Sequence, residues 1–402
     1  MLPGRRDARV GTMSSVTDIA TLRQLAAERN EAFVDELAAM VSVDCGSYTP
    51  SGVNRIADRC ERRFEEQGWT VDRTRHRPGP GEPQLGDLVI GRLRGSGGAR
   101  ILLIGHTDTV FDEGTVAERP FRIEGDVARG PGVSDMKGGL LTGFFATEVL
   151  QAAGFEGFDA ITFVCNPDEE IGSPFSGPLI REMAAQHHAA LVLEAARENG
   201  DIVSARKGIT DYVVEIRGRA AHAGVEPERG RNALLEAAHT IIALQALNGR
   251  WPGVTVNVGV AQGGTRSNVV PERCELHVDL RSPEAGSLDE ADAEVRRICA
   301  EHAVPDTTVD VRANGWHRPM EKQEGAVRLV EIAKGVASEL GFELRDASTG
   351  GASDANTTSA AGTPTIDGLG PVGGDDHSPS EWLDLTSVVP RVALLAGILS
   401  RI

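Results

Sequence analysis

No stretch of this chain reaches the roughly 18 consecutive apolar residues that a helix needs to cross a bilayer, and its first residues carry Arg5, Arg6 and Arg9 with no apolar segment behind them. Neither a helical membrane protein nor a secretory leader is expected, and Met13 stands beside Met1 as a candidate natural start. Basic charge is in short supply: 41 Lys and Arg face 59 Asp and Glu, a formal net charge of -18. Such an imbalance argues against a nucleic-acid partner or an anionic membrane surface. Cysteine is sparse, and Cys45, Cys60, Cys165, Cys274 and Cys299 are odd in number, widely spaced and without a C-x-x-C pair. No disulfide framework follows from that spacing, which fits a reducing, cytoplasmic compartment. Internal repeats and long low-complexity tracts are lacking too. What is present is a 40% hydrophobic chain of 402 residues, globular in composition and too long for one ordinary core.

The periodicity predicts helices over Ala20–Val41 and Val53–Gly68, then strands near Val71, Leu88–Leu93 and Ile101–Gly105, with a Pro/Gly loop over Arg77–Gly86. A further helix is expected over Lys137–Ala152. This alternation reads as an α/β domain with helices on both faces of a sheet. From about Ala205 the order changes to strand Tyr212–Arg217, helix Arg231–Leu247, strands Val254–Val260 and Arg273–Arg281, helix Leu288–His302 and strand Thr307–Arg312. That is a β-α-β-β-α-β unit of the ferredoxin-like type. It is followed by a helix over Gly325–Leu340, from which the α/β domain resumes.

Chemistry-bearing residues recur where apolar runs end. Ile101–Gly105 leads into His106-Thr107-Asp108, and residues two apart in extended chain share a face, so a carboxylate there can orient an imidazole toward a metal. Gly130-Pro131-Gly132-Val133-Ser134-Asp135-Met136-Lys137-Gly138-Gly139 holds Asp135 in a loop whose glycines permit unusual backbone angles. Ile161–Cys165 runs into Asp168-Glu169-Glu170, three acids that repel one another unless something positive sits among them; a divalent cation is the economical explanation. Leu191–Leu193 delivers Glu194, and Gly373-Gly374-Asp375-Asp376-His377 supplies a second isolated imidazole. Each alone reads equally as a capped loop or solvated turn. Five such strand-end sites make coincidence improbable.

In that order, H-x-D, G-P-G-x-x-D-x-K-G-G, D-E-E-x-G-S, a strand-terminal Glu and a late His, the chain from about His106 to its end resembles the M20 metallopeptidases. These are co-catalytic zinc hydrolases that include glutamate carboxypeptidase, succinyl-diaminopimelate desuccinylase, acetylornithine deacetylase and aminoacylases. The resemblance implies His106, Asp135, Glu170, Glu194 and His377 as ligands of two Zn2+ per chain, with Asp135 bridging. It implies Glu169 as general acid/base and Asp108 as support for His106. Adjacent residues of an extended loop point to opposite sides, which lets Glu170 bind metal while Glu169 stays free. Donors of N and O type without thiolate suit zinc, and also Co2+ or Mn2+.

The resemblance further implies a zinc-exopeptidase-like α/β catalytic domain over residues 1–204 and 317–402, with the ferredoxin-like α+β unit of residues 205–316 inserted as a lid and dimerisation domain. All five ligand positions lie outside that insert. His222, in Gly218-Arg219-Ala220-Ala221-His222-Ala223-Gly224, matches the family histidine that binds the tetrahedral oxyanion across a homodimer interface; a turn histidine is the plainer reading. Asn268 and Arg281 match substrate-binding positions. The planar fork of Arg281 suits a carboxylate, against the alternative of a surface salt bridge. Lys207, Arg318 and Gly351, in the loop Gly350-Gly351-Ala352-Ser353-Asp354, are further substrate-binding candidates, although the glycine loop also reads as a simple turn. One departure stands out: Glu194 is followed by Ala195 where carboxypeptidase-like members commonly have Pro, so the pocket beside it is expected to differ in shape. The expected substrate is a small peptide or N-acyl amino acid with a free carboxylate beside the scissile amide. A deacylase of the same family is the alternative, and a non-catalytic ligand-binding member a remote one.

Overall fold

The computed structural model describes residues 18–402, so Met13 and the early arginines lie outside the described residues. The first expected helix is two, Ile19–Glu28 and Asn30–Val41. Arg29 ends one and starts the other, tied to Glu148 at 2.8 Å and to the Leu25 carbonyl at 3.0 Å. The third helix, Pro50–Glu66, starts earlier than its apolar stripe because Pro50 occupies the first turn, where a missing N–H costs nothing. It buries Val53, Ile56, Ala57, Cys60 and Phe64, spaced to face one side.

That face covers a six-stranded sheet in the order Thr70–Thr74, Leu88–Arg94, Ala160–Asn166, Arg100–His106, Ala189–Val192, Thr365–Ile366. Strands Arg100–His106, Ala160–Asn166 and Ala189–Val192 run parallel, and their apolar residues are buried on both faces, as the continuous hydrophobic runs require. His106 pairs with Asn166 at the last rung, and Ile104 with Val192. Three chemistry-bearing loops therefore leave one sheet edge, the carboxyl ends of parallel strands. Helices Gly139–Ala152 and Val388–Leu399 pack with Ile19–Glu28 and Glu324–Leu340 over the same core.

Gly208–Arg217, Ala233–Gln245, Thr255–Gly263, Arg273–Ser282, Ala285–Ala300 and Thr308–His317 follow as β-α-β-β-α-β. The sheet order, with Gly208–Arg217 between Arg273–Ser282 and Thr308–His317, is the ferredoxin-like arrangement. Its core is separate, built from residues such as Tyr212, Val214, Leu276, Leu280, Leu288 and Val295. Strand Ile202–Arg206 pairs in parallel with Asp346–Thr349 outside this unit. A small sheet absent from the sequence expectations joins Arg122–Glu124 and Val127–Arg129 to Trp382–Asp384 and Gly373–Gly374, placing the C-terminal loop against the loop of Asp135. Among the described residues no helix is long and apolar enough to cross a membrane.

Candidate metal centre

Among the described residues two groups of ligand-type atoms occur, each with its atoms within 4.8 Å of one another: His106 with Asp135 and Glu194, and Asp135 with Glu170 and His377. Asp135 is common to both. Its Oδ1 is 2.9 Å from His106 Nε2 and its Oδ2 is 3.1 Å from His377 Nε2. His106 Nε2 is 3.8 Å from Glu194, and His377 Nε2 is 3.2 Å from Glu170 Oε2. The other Glu170 oxygen is buried without a hydrogen-bond partner, an arrangement that is costly unless a cation belongs there. The donor set and this orphaned oxygen fit divalent metal ions.

His106 Nδ1 donates to the Asp108 backbone carbonyl at 3.0 Å, which leaves Nε2 facing the cluster. The Asp108 carboxylate, expected to support this ring, lies 3.4 Å from the same Nδ1. It also accepts the Ser47 hydroxyl at 2.7 Å and the backbone N–H groups of Glu169 and Glu170, each at 3.2 Å. It therefore aims the turn that carries both glutamates. This turn is one 3-10 turn over Glu169–Ile171, closed by left-handed Gly172, and not the extended loop expected. Asp168, the first of the three consecutive acids, stays outside the ligand groups and is buried, accepting the N–H of Phe175 at 2.6 Å and of Ser176 at 3.3 Å.

Glu169 belongs to neither ligand group. Burial pushes its carboxyl well above the usual carboxylate range; His106 opposes this, and Glu194, Asp354 and Glu170 add to it. Burial likewise raises Glu194. For Asp135 burial also acts upward, yet the hydrogen bonds from His106 and His377 outweigh it and hold the group below its ordinary value. His377 is pushed up to about 11 by Asp135 and Glu170. Positive charge is thus held at the centre of a carboxylate-rich site.

Further polar residues brace this centre, Asp354 at the end of the glycine loop among them. Asp354, pushed up to about 6 by burial, accepts Asn166 Nδ2 at 2.6 Å and Ser173 Oγ at 2.8 Å, bracing both ends of the Glu169 turn. Arg206 is buried, pairs with Asp367 at 2.7 Å and donates to the Gly351 carbonyl at 3.1 Å. Gly351 thus presents a carbonyl to the protein's own arginine. Nothing local marks these residues, since each acquires its role from a distant segment.

The remaining candidates lie in the inserted unit or at its two ends. His222 and Asn268 are exposed neighbours, with Ala223 donating to the Asn268 carbonyl at 3.0 Å, and no hydrogen bond or ion pair joins them to the metal groups among the described residues. The Arg281 fork grips Asp279 at 2.9 to 3.0 Å and donates to the Gly350 carbonyl at 2.9 Å, so it spans the lid and the glycine loop. Lys207 donates to Gly253 at 2.6 Å, and Arg318 to Asp289 at 2.7 Å. A cavity of about 470 Å³, bordered by Gly172, Ser173, Arg181, His317, Arg318 and Asn356, lies beside the glutamate turn.

The sequence model of peptidase family M20/M25/M40 matches residues 102–401. Carboxypeptidase G2 of Pseudomonas sp. (strain RS-16) is 30% identical over 384 residues, 94% of this chain and 91% of that one. Acetylornithine deacetylase of Myxococcus xanthus is 30% identical over 260 residues, 61% of this chain and 65% of that one. The solved structure of aminopeptidase PepT from Bacillus cereus superposes with a TM-score of 0.77 at 25% identity, covering 92% of this chain and 98% of that one. With the metal-ligand geometry and this breadth of likeness, the chain belongs to peptidase family M20/M25/M40 and is a metallo-hydrolase.

Proposed function

We propose that the chain is a dinuclear zinc hydrolase that cleaves an amide or peptide bond beside a free carboxylate and releases a C-terminal amino acid such as glutamate. The observation that carries this reading is Asp135 shared between two ligand groups, with Glu169 beside them and outside both. His106, Asp135 and Glu194 would hold one ion, and Asp135, Glu170 and His377 the other. Bound zinc supplies Lewis acidity at the scissile carbonyl and lowers the pKa of coordinated water. Glu169 takes the proton from the attacking water and hands it to the departing amine nitrogen. Asp108 keeps Glu169 in place through its backbone N–H.

Arg281 has five N–H donors, and the Asp279 and Gly350 contacts leave part of its terminal nitrogens for a substrate carboxylate. Lys207 and the Gly351 loop are further contacts for that substrate, and Asn268, neighbour of His222, serves the same site as that histidine. Arg181 borders the cavity beside the glutamate turn and gives it a cationic group suited to an acidic side chain. The likeness to carboxypeptidase G2 over 94% of the chain supports this substrate class, and that to acetylornithine deacetylase supports deacylation of an N-acyl amino acid as the second reading.

His222 acts on the oxyanion of a second copy's site. The edge strand Thr255–Gly263, unpaired on one side, and the exposed Leu235, Ile242 and Val225 of the lid supply a surface for that copy. The reading is tested by elemental analysis after reconstitution and by a panel of N-acyl and peptidyl amino acids assayed with zinc-loaded protein. Two metals per chain and preferential release of an acidic amino acid are expected; one metal or none, with activity indifferent to chelation, overturns it.

A further inference from the structure

We infer that Glu381 is a positioning residue for the metal centre, one that fixes the backbone of Asp135 and keeps it in register with His377. The inference rests on the two-ion reading above. Glu381 is only 2% exposed, and three backbone N–H groups converge on its carboxylate. Oε2 accepts from Gly132 at 2.8 Å, and Oε1 accepts from Ser134 at 2.8 Å and from Asp135 at 3.0 Å. A loop whose successive amides point to one spot makes an anion-binding concavity. Here Gly132, at φ 72, permits the turn, and the anion is supplied by the chain itself.

Sheet register explains how a carboxylate nearly 250 residues away arrives there. Trp382 pairs with Arg129 and Leu383 with Ala128, antiparallel, so the residue before Trp382 stands opposite the start of the Gly130–Gly139 loop. Arg129 also donates to the Ser380 carbonyl at 2.7 Å. His377 lies four residues before Glu381, on a loop with left-handed backbone and a side chain 56% exposed. It has none of the strand anchorage that His106 enjoys. The Glu381 carboxylate therefore links the two loops that must present Asp135 and His377 to one ion, whereas His106 and Glu194 are set by the central sheet.

Glu381→Gln keeps the shape but leaves one acceptor oxygen and turns an NH2 group toward backbone donors. The experiment is calorimetric titration of metal-stripped, full-length protein with Co2+, together with the visible absorption of bound Co2+ and circular dichroism to confirm folding. Wild type is expected to take two equivalents. Glu381→Gln is expected to keep the first equivalent within about threefold and to bind the second at least roughly tenfold more weakly, the size of effect seen when a group behind a ligand is removed. If that variant fails to fold, Glu381→Asp, which keeps the charge and withdraws the oxygens by one methylene, is expected to show the same selective loss. A folded variant with both equivalents within about twofold of wild type overturns the inference and leaves the two-ion reading standing. A wild-type protein that never takes a second equivalent sinks that reading itself.

Discussion

Glu169→Gln separates the proton carrier from the metal-binding groups. The carboxylate belongs to neither ligand group, and the backbone N–H that fixes its turn, 3.2 Å from Asp108 Oδ1, is untouched by the change. Glutamine has nearly the same volume, and neutralising a carboxylate crowded by Glu194, Asp354 and Glu170 relieves repulsion. The thermal midpoint is therefore expected to hold or to rise slightly, with metal content unchanged. What is lost is one proton transfer, a contribution of about a hundredfold to ten-thousandfold; we expect turnover to fall about a thousandfold, roughly 4 kcal/mol in barrier height, with KM little altered. Glu170→Gln is the contrast. It removes a carboxylate whose Oε2 lies 3.2 Å from His377 and whose Oε1 has no hydrogen-bond partner, so it should lose metal, and excess metal should restore part of its rate. Steady-state kinetics on the best substrate of the panel, with elemental analysis of both variants, decides the matter. Near-normal turnover in Glu169→Gln, or metal loss equal to that of Glu170→Gln, refutes the division of labour.

Arg281→Lys keeps the charge but not the fork, so KM is expected to rise roughly tenfold with metal content unchanged; an unaltered KM assigns the carboxylate to another residue. Mixing the inactive His222→Ala and Glu169→Gln proteins and letting subunits exchange should restore about a quarter of wild-type activity, because half of randomly paired dimers carry one complete site. No recovery despite demonstrated exchange confines His222 to its own chain or removes it from catalysis. In metal-stripped protein, His377 is protonated up to about 11 by Asp135 and Glu170. Because that value is raised, the stabilisation is complete below the free imidazole value of about 6.5 and is lost as pH rises toward the folded value. Thermal midpoints in chelator should fall between about pH 7 and 10, and His377→Gln should flatten part of that slope; an unchanged slope refutes the pairing.

The strand-end motifs were legible because they are local. A buried parallel strand is a run of apolar residues, and the residues that follow it must emerge at the sheet edge, so Ile101–Gly105 with His106, and Leu191–Leu193 with Glu194, carried their own context. The insert was legible as a change in element order, and in the structure Arg273–Ser282 alternates between buried and more exposed residues as a one-sided sheet requires. Element boundaries were read less well: the apolar spacing runs through Arg29 unbroken, and only its tie to Glu148 shows that the chain turns there.

Tertiary structure decided what each polar residue faces. Asp168, Glu169 and Glu170 are alike in sequence, yet one caps the residues after the turn, one stays outside the ligand groups and one enters them, because Asp108 and Asp354 hold the turn from opposite sides. Glu381, Arg206 and Asp354 carry no local signature, since a buried charged group is defined by partners that the chain brings together from far apart. Sequence alone determined which residue types stand at the sheet edge. Only the packing of distant loops decided which of them converge in one ligand-type group, because carboxylate geometry is set by backbone donors from distant segments.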